Sequence, residues 1–501
     1  MPGPLTQLRA LLALRWQMAR TPGLRLGILL AALLLGWLLM LVLDSGSNLD
    51  SVQLATAVEL APAAFLGFGV LAVVAPLTAG GGSEVVPPDQ LVPFPVRPQT
   101  QFLGGLLLAP LNLVWVVQLL VLAALTAYLT RGGSLLLGGL TSIAFVALLT
   151  VLGQTLAWLV VGARQTQLGR RIVGSTGVLV FLAAVLVVRA GRGNDLIEAS
   201  PTRTVVAGVI AGGDGHLLRW TLTTGALLLG TALLLVLGER TCAWALRRPG
   251  DASLHRHTDP VRRRSPKTTA LRELVAVNRA SVWRAPALRR GGLVLAILPG
   301  VIAAGAAVPW QSMIVMPGLV AAGAGLLFGV NAFCLDGSGA VWLASLPHDP
   351  GLVMRAKAIV LGETVLAAVT VAAFAGSLRS PGTPTAAEIN AIVAAGLACT
   401  AVVVAGALKM SVHHPHRADL RGPRDAVAPP GALALASARL ALPTAFVGIL
   451  LGSASQADLW WWPPLLASPV ILLCVLSVMR SLRRYDDPFV RARIVQTVAA
   501  G

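Results

Sequence analysis

The sequence predicts an all-α polytopic membrane protein with about 12 transmembrane helices. Apolar residues make up 56% of the chain, charged residues only 12%, and the mean hydropathy is +0.78. A soluble domain averages about 25% charged residues. The apolar residues are gathered into uncharged runs, and a run of about 20 residues crosses a bilayer core about 30 Å thick. The basic residues lie between alternate runs, as they do in multi-pass proteins.

Twelve runs are long enough to span. No small-residue cleavage site follows the first of them, so we expect it to be a membrane helix and not a cleaved signal sequence. The predicted spans are 24–43, 53–79, 102–129, 134–162, 172–188, 221–238, 291–309, 312–334, 357–377, 387–409, 433–453 and 459–480.

The net charge of +18 is explained by orientation across a membrane. With the N-terminus in the cytoplasm, 32 of the 39 Lys and Arg residues face the cytoplasm and six lie in outer loops. This distribution obeys the positive-inside rule, and the inverted topology violates it. We therefore predict a cytoplasmic-membrane protein with both termini inside, whose basic residues contact anionic lipid headgroups. Nucleic-acid binding is not predicted.

The chain repeats itself. Residues 20–25 and 284–289 both carry an Arg, a Pro two residues on and a second Arg at the end, each before an apolar run. Residues 91–95 are echoed by 343–347, with a further proline three residues on in each case. A duplicated membrane unit surrounds a shared axis in many transporters. We predict two pseudo-twofold-related halves of six helices, at 1–238 and 268–501, joined by a basic cytoplasmic linker at 239–267.

An amphipathic helix is predicted before the first span of each half. In the second half, Leu271, Val275, Asn278 and Val282 share one stripe, while Arg272 and Arg279 share another. Such a pattern is typical of a helix at the inner membrane interface, although a simple extension of the span fits it as well. The Gly-rich outer loop 189–220 has room for a short helix.

The sequence lacks the motifs of an ATP-hydrolysing or metal enzyme. No phosphate-binding loop surrounds Lys267, Lys357 or Lys409, and no paired carboxylates or nucleophile elbow are found. We therefore predict no catalytic residues, no metal site and no cofactor on this chain. The cysteines have no zinc or redox spacing and are expected to be small apolar residues in helices. His413, His414 and His416 favour a solvated loop over a metal site.

Two matched loops, after the second span of each half, carry the strongest positional signal. Each has an acidic residue (Glu84, Asp336), a short apolar segment and a Pro-x-x-Pro sequence. Pro98 and Pro350 suit the first turn of a helix, and Asp349 suits its N-cap. We predict a short, stiff helix at the membrane face that runs into the next span; a tight turn with helix-start signals is the simpler alternative. The candidate residues are Phe94, Pro95, Val96, Arg97 and Pro98, and Leu346, Pro347, His348, Asp349 and Pro350.

This layout resembles the permeases of ABC-2-type exporters. They too have six spans, an interfacial helix before the first and a Pro-containing cytoplasmic helix between the second and third. The resemblance implies that residues 91–101 and 343–354 are coupling helices, each docking on one of two cytoplasmic ABC ATPase subunits that bind ATP and Mg. Most family members are half-size and pair up, whereas both halves are fused here. Arg97 stands opposite Asp349, so the two contacts need not be equivalent.

The resemblance also implies a cargo path between the halves, lined by spans two, five, eight and eleven. The Leu, Val, Ala and Phe content of these spans favours an amphipathic or apolar cargo: a small molecule, a lipid or a hydrophobic peptide. An ion-gradient-driven transporter of the major facilitator type is the main alternative, because it also has twelve spans and a central linker. Its basic loop motif is missing, since residues 80–101 hold Arg97 as their sole cation. A lipid-modifying membrane enzyme is a third reading, but no clustered polar site supports it.

A charged side chain inside a membrane span costs free energy, so its presence indicates a structural or functional role. Glu363 lies about two turns into the ninth span, and Arg439 lies near the inner end of the eleventh. We expect Glu363 to face the bundle interior, toward Arg439, in either a structural ion pair or a gating or substrate role. Gly325 and Gly329 form a Gly-x-x-x-Gly pair, which favours close helix packing.

Overall fold

The computed structural model describes residues 51–78, 96–108, 113–130, 134–190, 198–247, 269–305, 307–329, 331–416, 430–457 and 459–499, with a few single residues elsewhere, among them Gln7. In this described part of the chain, the secondary structure is helical and contains no strands. The chain divides into two compact units. Unit 1 comprises Met1–Leu77 and Ser83–His255, and unit 2 comprises Thr78–Gly82 and Arg256–Gly501. The division falls inside the predicted linker.

Unit 1 is built from seven helices in its described part. They are α1 (Ser51–Thr78), α2 (Pro98–Leu108), α3 (Leu113–Leu129), α4 (Leu135–Ala163), α5 (Gln167–Arg189), α6 (Thr202–Gly213) and α7 (Leu217–Arg247). The short helix α6 lies in the predicted outer loop, which confirms the expected helix there. Its valines are buried against α3, α4 and α7.

Close packing of α4 on α7 organises unit 1. Small residues and hydroxyls line the contact: Thr141 and Thr224 hydrogen-bond at 2.8 Å, and the Trp220 indole donates to the Leu137 carbonyl at 2.8 Å. At the far end of α7, Gly238 faces α2, where an added Cβ would lie 2.1 Å from the Phe102 ring. Glycine at this position therefore lets α2 approach α7.

Unit 2 contains the second set of helices. They are α8 (Ala270–Arg284), α9 (Pro286–Gly305), α10 (Trp310–Met313), α11 (Met316–Phe328), α12 (Gly339–Ser345), α13 (Pro350–Ser377), α14 (Ala386–His413), α15 (Pro430–Ser455), α16 (Trp462–Asp486) and α17 (Pro488–Ala499). Helix α14 packs on α11, α13, α15 and α16, and its alanine-rich buried face is the centre of the unit.

Local sequence explains where several helices begin. The Ser134 hydroxyl caps α4, and the Thr269 hydroxyl caps α8. At α14, Thr385 and Glu388 form a reciprocal capping box. Such side chains satisfy amide donors that have no partner in the first turn of a helix. Helices α2 and α13 begin at Pro98 and Pro350, which confirms the expected helix starts.

The helices match the predicted spans wherever the structure describes them. Every span except the first, of which the structure describes only two single residues, overlaps a described helix, and the third span is covered by α2 and α3. By length and composition, seven described helical segments suffice to cross a membrane: α4, α7, the Leu288–Gly305 part of α9, α10 with α11, α13, α14 and α16. These helices identify a multi-pass membrane protein. Twelve crossings remain a prediction.

The two units share one packing feature. Helix α4 makes its most extensive contact with α7 in unit 1, and α14 makes its most extensive contact with α16 in unit 2. Both pairs join the fourth and sixth predicted spans of a half. This shared pairing favours the predicted duplication, which stays a prediction.

Candidate functional site

The candidate segment of the second half lies at one end of unit 2, which we call the basal end. The basal end holds the loop 331–338, α12, the start of α13, the ends of α14 and α16, and helix α17. A buried cluster joins these elements through Phe333, Met354, Leu408, Tyr485 and Ile494. The rings of Phe333 and Tyr485 stack with centroids 5.2 Å apart. We call residues 336–350 the basal segment.

The basal segment is a short helix followed by a turn, and the expected continuous stiff helix is wrong in this respect. Helix α12 ends at Ser345, residues 346–349 are not helical, and α13 starts at Pro350. Leu346 and Asp349 are extended, with ψ of 144° and 120°. Both precede a proline, and the proline ring disfavours helical backbone at the residue before it. Leu346, Pro347, His348 and Asp349 therefore lie on the turn.

Asp349 closes this turn onto the next helix. Its carboxylate accepts a hydrogen bond of 3.0 Å from the Gly351 amide, which confirms the expected N-cap of α13. The pair Asp349–Pro350 is an N-cap followed by proline at the first helical position, where proline's missing N–H has no partner to lose. The direction of α13 is thus fixed at its first residue.

The outer face of α12 is apolar and exposed. Val341 is 55% exposed and Trp342 is 66% exposed, while Leu346 on the turn is 37% exposed. The opposite face, with Ala340 and Ala344, lines a cavity of about 80 Å³ shared with α17. We call Val341, Trp342 and Leu346 the basal apolar patch.

His348 and α17 complete the walls of this cavity. Both ring nitrogens of His348 are buried and have no hydrogen-bond partner among the described residues. Arg491, Ile494 and Val498 line the opposite side. A neighbouring guanidinium, that of Arg493, donates to the Val412 carbonyl at 3.0 Å. It thereby satisfies one of the orphan carbonyls at the end of α14, where positive charge is favoured.

Lys357 lies beneath the basal segment, about two turns into α13. Its ammonium contacts Asp336 Oδ1 at 2.8 Å and Asn278 Oδ1 at 3.2 Å, and it lies 5.1 Å above the Phe333 ring centroid. The Lys357 side chain is only 3% exposed and that of Asp336 17%. We call these four residues the Lys357 centre. Beside it, in the loop after α11, burial raises the pKa of the Cys334 thiol to about 12, so this thiol stays protonated.

Helix α8 has the two faces that the sequence predicts. Val275 packs with Ala356 and Val360 of α13, flanked by Leu271 and Val282. Asn278 lies on the same stripe and reaches Lys357. Helix α8 ends at Arg284, and α9 begins at Pro286.

The expected partner of Glu363 is wrong. Glu363 is 43% exposed at the surface of unit 2 and forms a bidentate pair with Arg279, at 2.8 Å from Nε to Oε2 and 2.6 Å from Nη2 to Oε1. The hydrogen bonds to Glu363, and then the charge of this carboxylate, raise the pKa of the Arg279 guanidinium. The reason is that α8 lies along α13 and brings the Arg279 cation to the carboxylate. Arg439 is exposed and lies near His414, whose pKa is lowered by burial and then by this positive charge.

In unit 1, the structure describes only the end of the matching segment. Phe94 and Pro95 lie outside the described residues, while Val96, Arg97 and Pro98 lie at the start of α2. The Arg97 backbone N–H and the Thr100 hydroxyl donate to Gln7 Oε1 at 3.2 and 2.9 Å. The Gln99 amide donates to Glu239 at 3.1 Å. The base of α2 is therefore held by amide and hydroxyl donors.

The remaining candidates are packing or loop residues. Gly325 faces Leu440 and Val403, where an added Cβ would lie 2.9 Å from each, and Gly329 faces Ala407 at 2.8 Å. This is the close contact that the Gly-x-x-x-Gly pair favours. His413 bonds to the Lys409 carbonyl of its own helix. Among the described residues, no group of three His, Cys, Asp or Glu side chains is placed to hold a metal ion.

Two features of the basal end escaped sequence reasoning. The sequence pattern did not predict helix α17. It also did not predict the contacts of Lys357, which was considered only as a lysine without a phosphate-binding loop around it. A signal was present in both cases: Pro488 opens an amphipathic stretch, and Lys357 is a cation inside an apolar helix close to the acidic residue Asp336. Comparison with known proteins adds no identification, because no protein-family model, no curated protein and no solved structure matches the chain.

Proposed function

We propose that this protein is the transmembrane permease subunit of an ATP-driven exporter of the ABC-2 type, with the basal segment as a docking site for a separate ATPase subunit. In this proposal the basal end faces the cytoplasm of a cell whose inner membrane the chain spans. The chain hydrolyses no ATP itself. Its cargo is an amphipathic or apolar molecule.

The observation that carries the proposal is the basal apolar patch. A large exposed aromatic side chain on a short helix is unusual unless a membrane or a protein covers it, and Trp is the residue most enriched at the energetic centre of protein interfaces. Three features favour a protein. The patch lies on a helix that a fixed turn joins to α13, and the opposite face of this helix packs on α17. The segment 343–347, which ends this helix and begins the turn, is echoed by residues 91–95 of unit 1.

The layout supports the same conclusion. An amphipathic helix, two spans and a basal segment precede α13, as in the permeases that the sequence resembles. The carrier alternative depends on ionisable groups inside spans, and Glu363, the carboxylate that best met this need, is paired with Arg279 at the surface. That pairing weakens the ion-gradient alternative.

Co-purification tests the proposal directly. We expect an ABC ATPase to be captured with the full-length chain from native membranes. Trp342→Asp should reduce the captured ATPase more than tenfold, since loss of an interface anchor costs about 2 kcal/mol or more. The matched control is Trp460→Asp, because Trp460 is 63% exposed and precedes α16 at the end of that helix opposite Tyr485.

The control variant should capture the ATPase as well as the natural chain does. Absence of any ATPase from the natural chain, or equal capture by both variants, would contradict the proposal. Transport that persists without ATP and collapses with the proton gradient would instead support the carrier.

A further inference from the structure

The Lys357 centre joins three separate elements of unit 2. Lys357 belongs to α13, Asn278 belongs to α8, and Asp336 is the first residue of the basal segment, three residues before α12 begins. All three N–H donors of an ammonium need acceptors when it is buried. Here two oxygens and the face of Phe333 surround the ammonium, so its position depends on all three elements at once.

Stability alone does not explain this arrangement. A buried ion pair is often no more stable than an apolar pair of the same volume, because both charges lose their hydration. The ion pair differs from an apolar pair in being directional: its strength depends on short distances to particular atoms. A contact of this kind resists sliding between the elements it joins, whereas an apolar contact tolerates it.

The remaining contacts extend the connection to the rest of the basal end. Phe333, under the ammonium, stacks on Tyr485 at the end of α16. The neighbouring Ala332 amide donates to the Ser411 hydroxyl of α14 at 2.8 Å. The basal segment is therefore connected to the ends of α13, α14 and α16 by a continuous set of hydrogen bonds and ring contacts, through which a displacement of the segment would be transmitted.

The matching position of unit 1 has no such cation. Lys357 follows Pro350 by seven residues, and the residue seven after Pro98 is Gly105. The acidic partner is matched in the sequence, since Glu84 stands where Asp336 does. The charged centre is therefore a special property of unit 2, and the requirements of a generic membrane helix do not account for it.

We propose that Lys357 is a positioning residue that makes the basal segment, α8 and α13 move as one body. This proposal rests on the proposed function, in which an ATPase displaces the basal segment. Lys357 then transfers that displacement to the membrane helix α13 and to the interfacial helix α8.

Hydrogen–deuterium exchange on the full-length chain in lipid nanodiscs tests, without any ATPase, whether Lys357 connects the basal segment to α8 and α13. The variant is Lys357→Met with Asp336→Asn, which removes both charges and so leaves no buried charge unpaired. The matched control is Arg279→Gln with Glu363→Gln, which removes the ion pair between α8 and α13. The double variant should raise amide exchange at least fivefold in both α8 and α12.

The control should leave exchange in α12 within twofold of the natural chain. The proposed role of Lys357 is overturned if exchange in α12 is unchanged in the first variant, or if it rises equally in the control. Lys357→Arg keeps the charge, and we expect it to restore protection of α12 to within twofold.

A second measurement separates positioning from mere support. With the captured ATPase bound, trapping it with ATP and vanadate should change exchange in α12, α8 and α13 together in the natural chain. In the Lys357→Met, Asp336→Asn variant the change should be confined to α12. A response that still reaches α13 in this variant overturns the role of Lys357. If no ATPase is captured, the proposed function fails. The exchange measurement without ATPase still decides whether Lys357 connects the basal segment to α8 and α13.

Discussion

The third span of each half starts at a comparable point, but different chemistry holds it. In unit 1, α2 begins among uncharged donors, with Gln7 accepting from the Arg97 amide and the Thr100 hydroxyl. In unit 2, α13 begins over a buried ion pair of Lys357 and Asp336. In the predicted duplication, packing preserves the helix order, while the contacts that fix the helix ends are free to diverge. The difference predicts that unit 2 is the more sensitive half.

The largest difference between the units is expected at the buried charge. Lys357→Met should destabilise the chain by about 3–5 kcal/mol, because removing one partner leaves a buried charge uncompensated. In unit 1, Glu239→Gln alters one hydrogen bond and should cost less than about 1 kcal/mol. Thermal unfolding of the purified chain, followed by size-exclusion chromatography, measures both. Equal effects of the two variants would remove the distinction between the units.

Helix packing should differ less, since both units depend on close-packed glycines. Gly238→Ala in α7 places a Cβ 2.1 Å from the Phe102 ring, and overpacking of this kind costs about 1–3 kcal/mol. The control lies in the same helix: Gly225 has nothing within 4 Å of its added Cβ, so Gly225→Ala should be neutral or stabilising by up to about 1 kcal/mol.

The melting temperature in detergent measures both glycine variants. A stable Gly238→Ala chain would show that α2 does not approach α7 as closely as described.

The smallest expected difference is at the helix caps. Asp349 caps α13, whereas Arg97 stands at the matching position before α2. A guanidinium contains no hydrogen-bond acceptor atom, so the Arg97 side chain cannot cap the N-terminus of α2. Asp349→Ala should lower stability by about 1 kcal/mol, while Asp349→Asn keeps an acceptor and should cost less. Arg97→Ala should have no measurable effect on α2. Thermal unfolding of these three variants tests the comparison, and a loss with Arg97→Ala equal to that with Asp349→Ala would contradict it.

Sequence periodicity was sufficient for most elements of the fold. Apolar runs of span length gave the long helices, and prolines gave the starts of α2 and α13, because proline has no N–H to donate and suits the first helical turn. The two faces of α8 also followed from its pattern. These features depend on residues close together in the chain, so a single sequence contains them.

Tertiary partners were not predictable in the same way. The expected pairing of Glu363 with Arg439 rested on the cost of a charge inside a span; the structure places Arg279 of α8 beside the carboxylate instead. The pairing of Lys357 with Asp336 depends on a loop folding back under α13. The turn at 346–349 is a different case, since two residues that precede prolines already signalled extended backbone.

Site-specific photo-crosslinking tests the central claim most directly. A benzophenone amino acid replaces Trp342 in one variant and Trp460 in another, and native membranes are irradiated before purification. The account predicts a crosslinked ATP-binding subunit from position 342 and no such product from position 460. Crosslinking of position 342 to lipid alone would contradict it, because the basal apolar patch would then be a membrane contact and no ATPase would dock there.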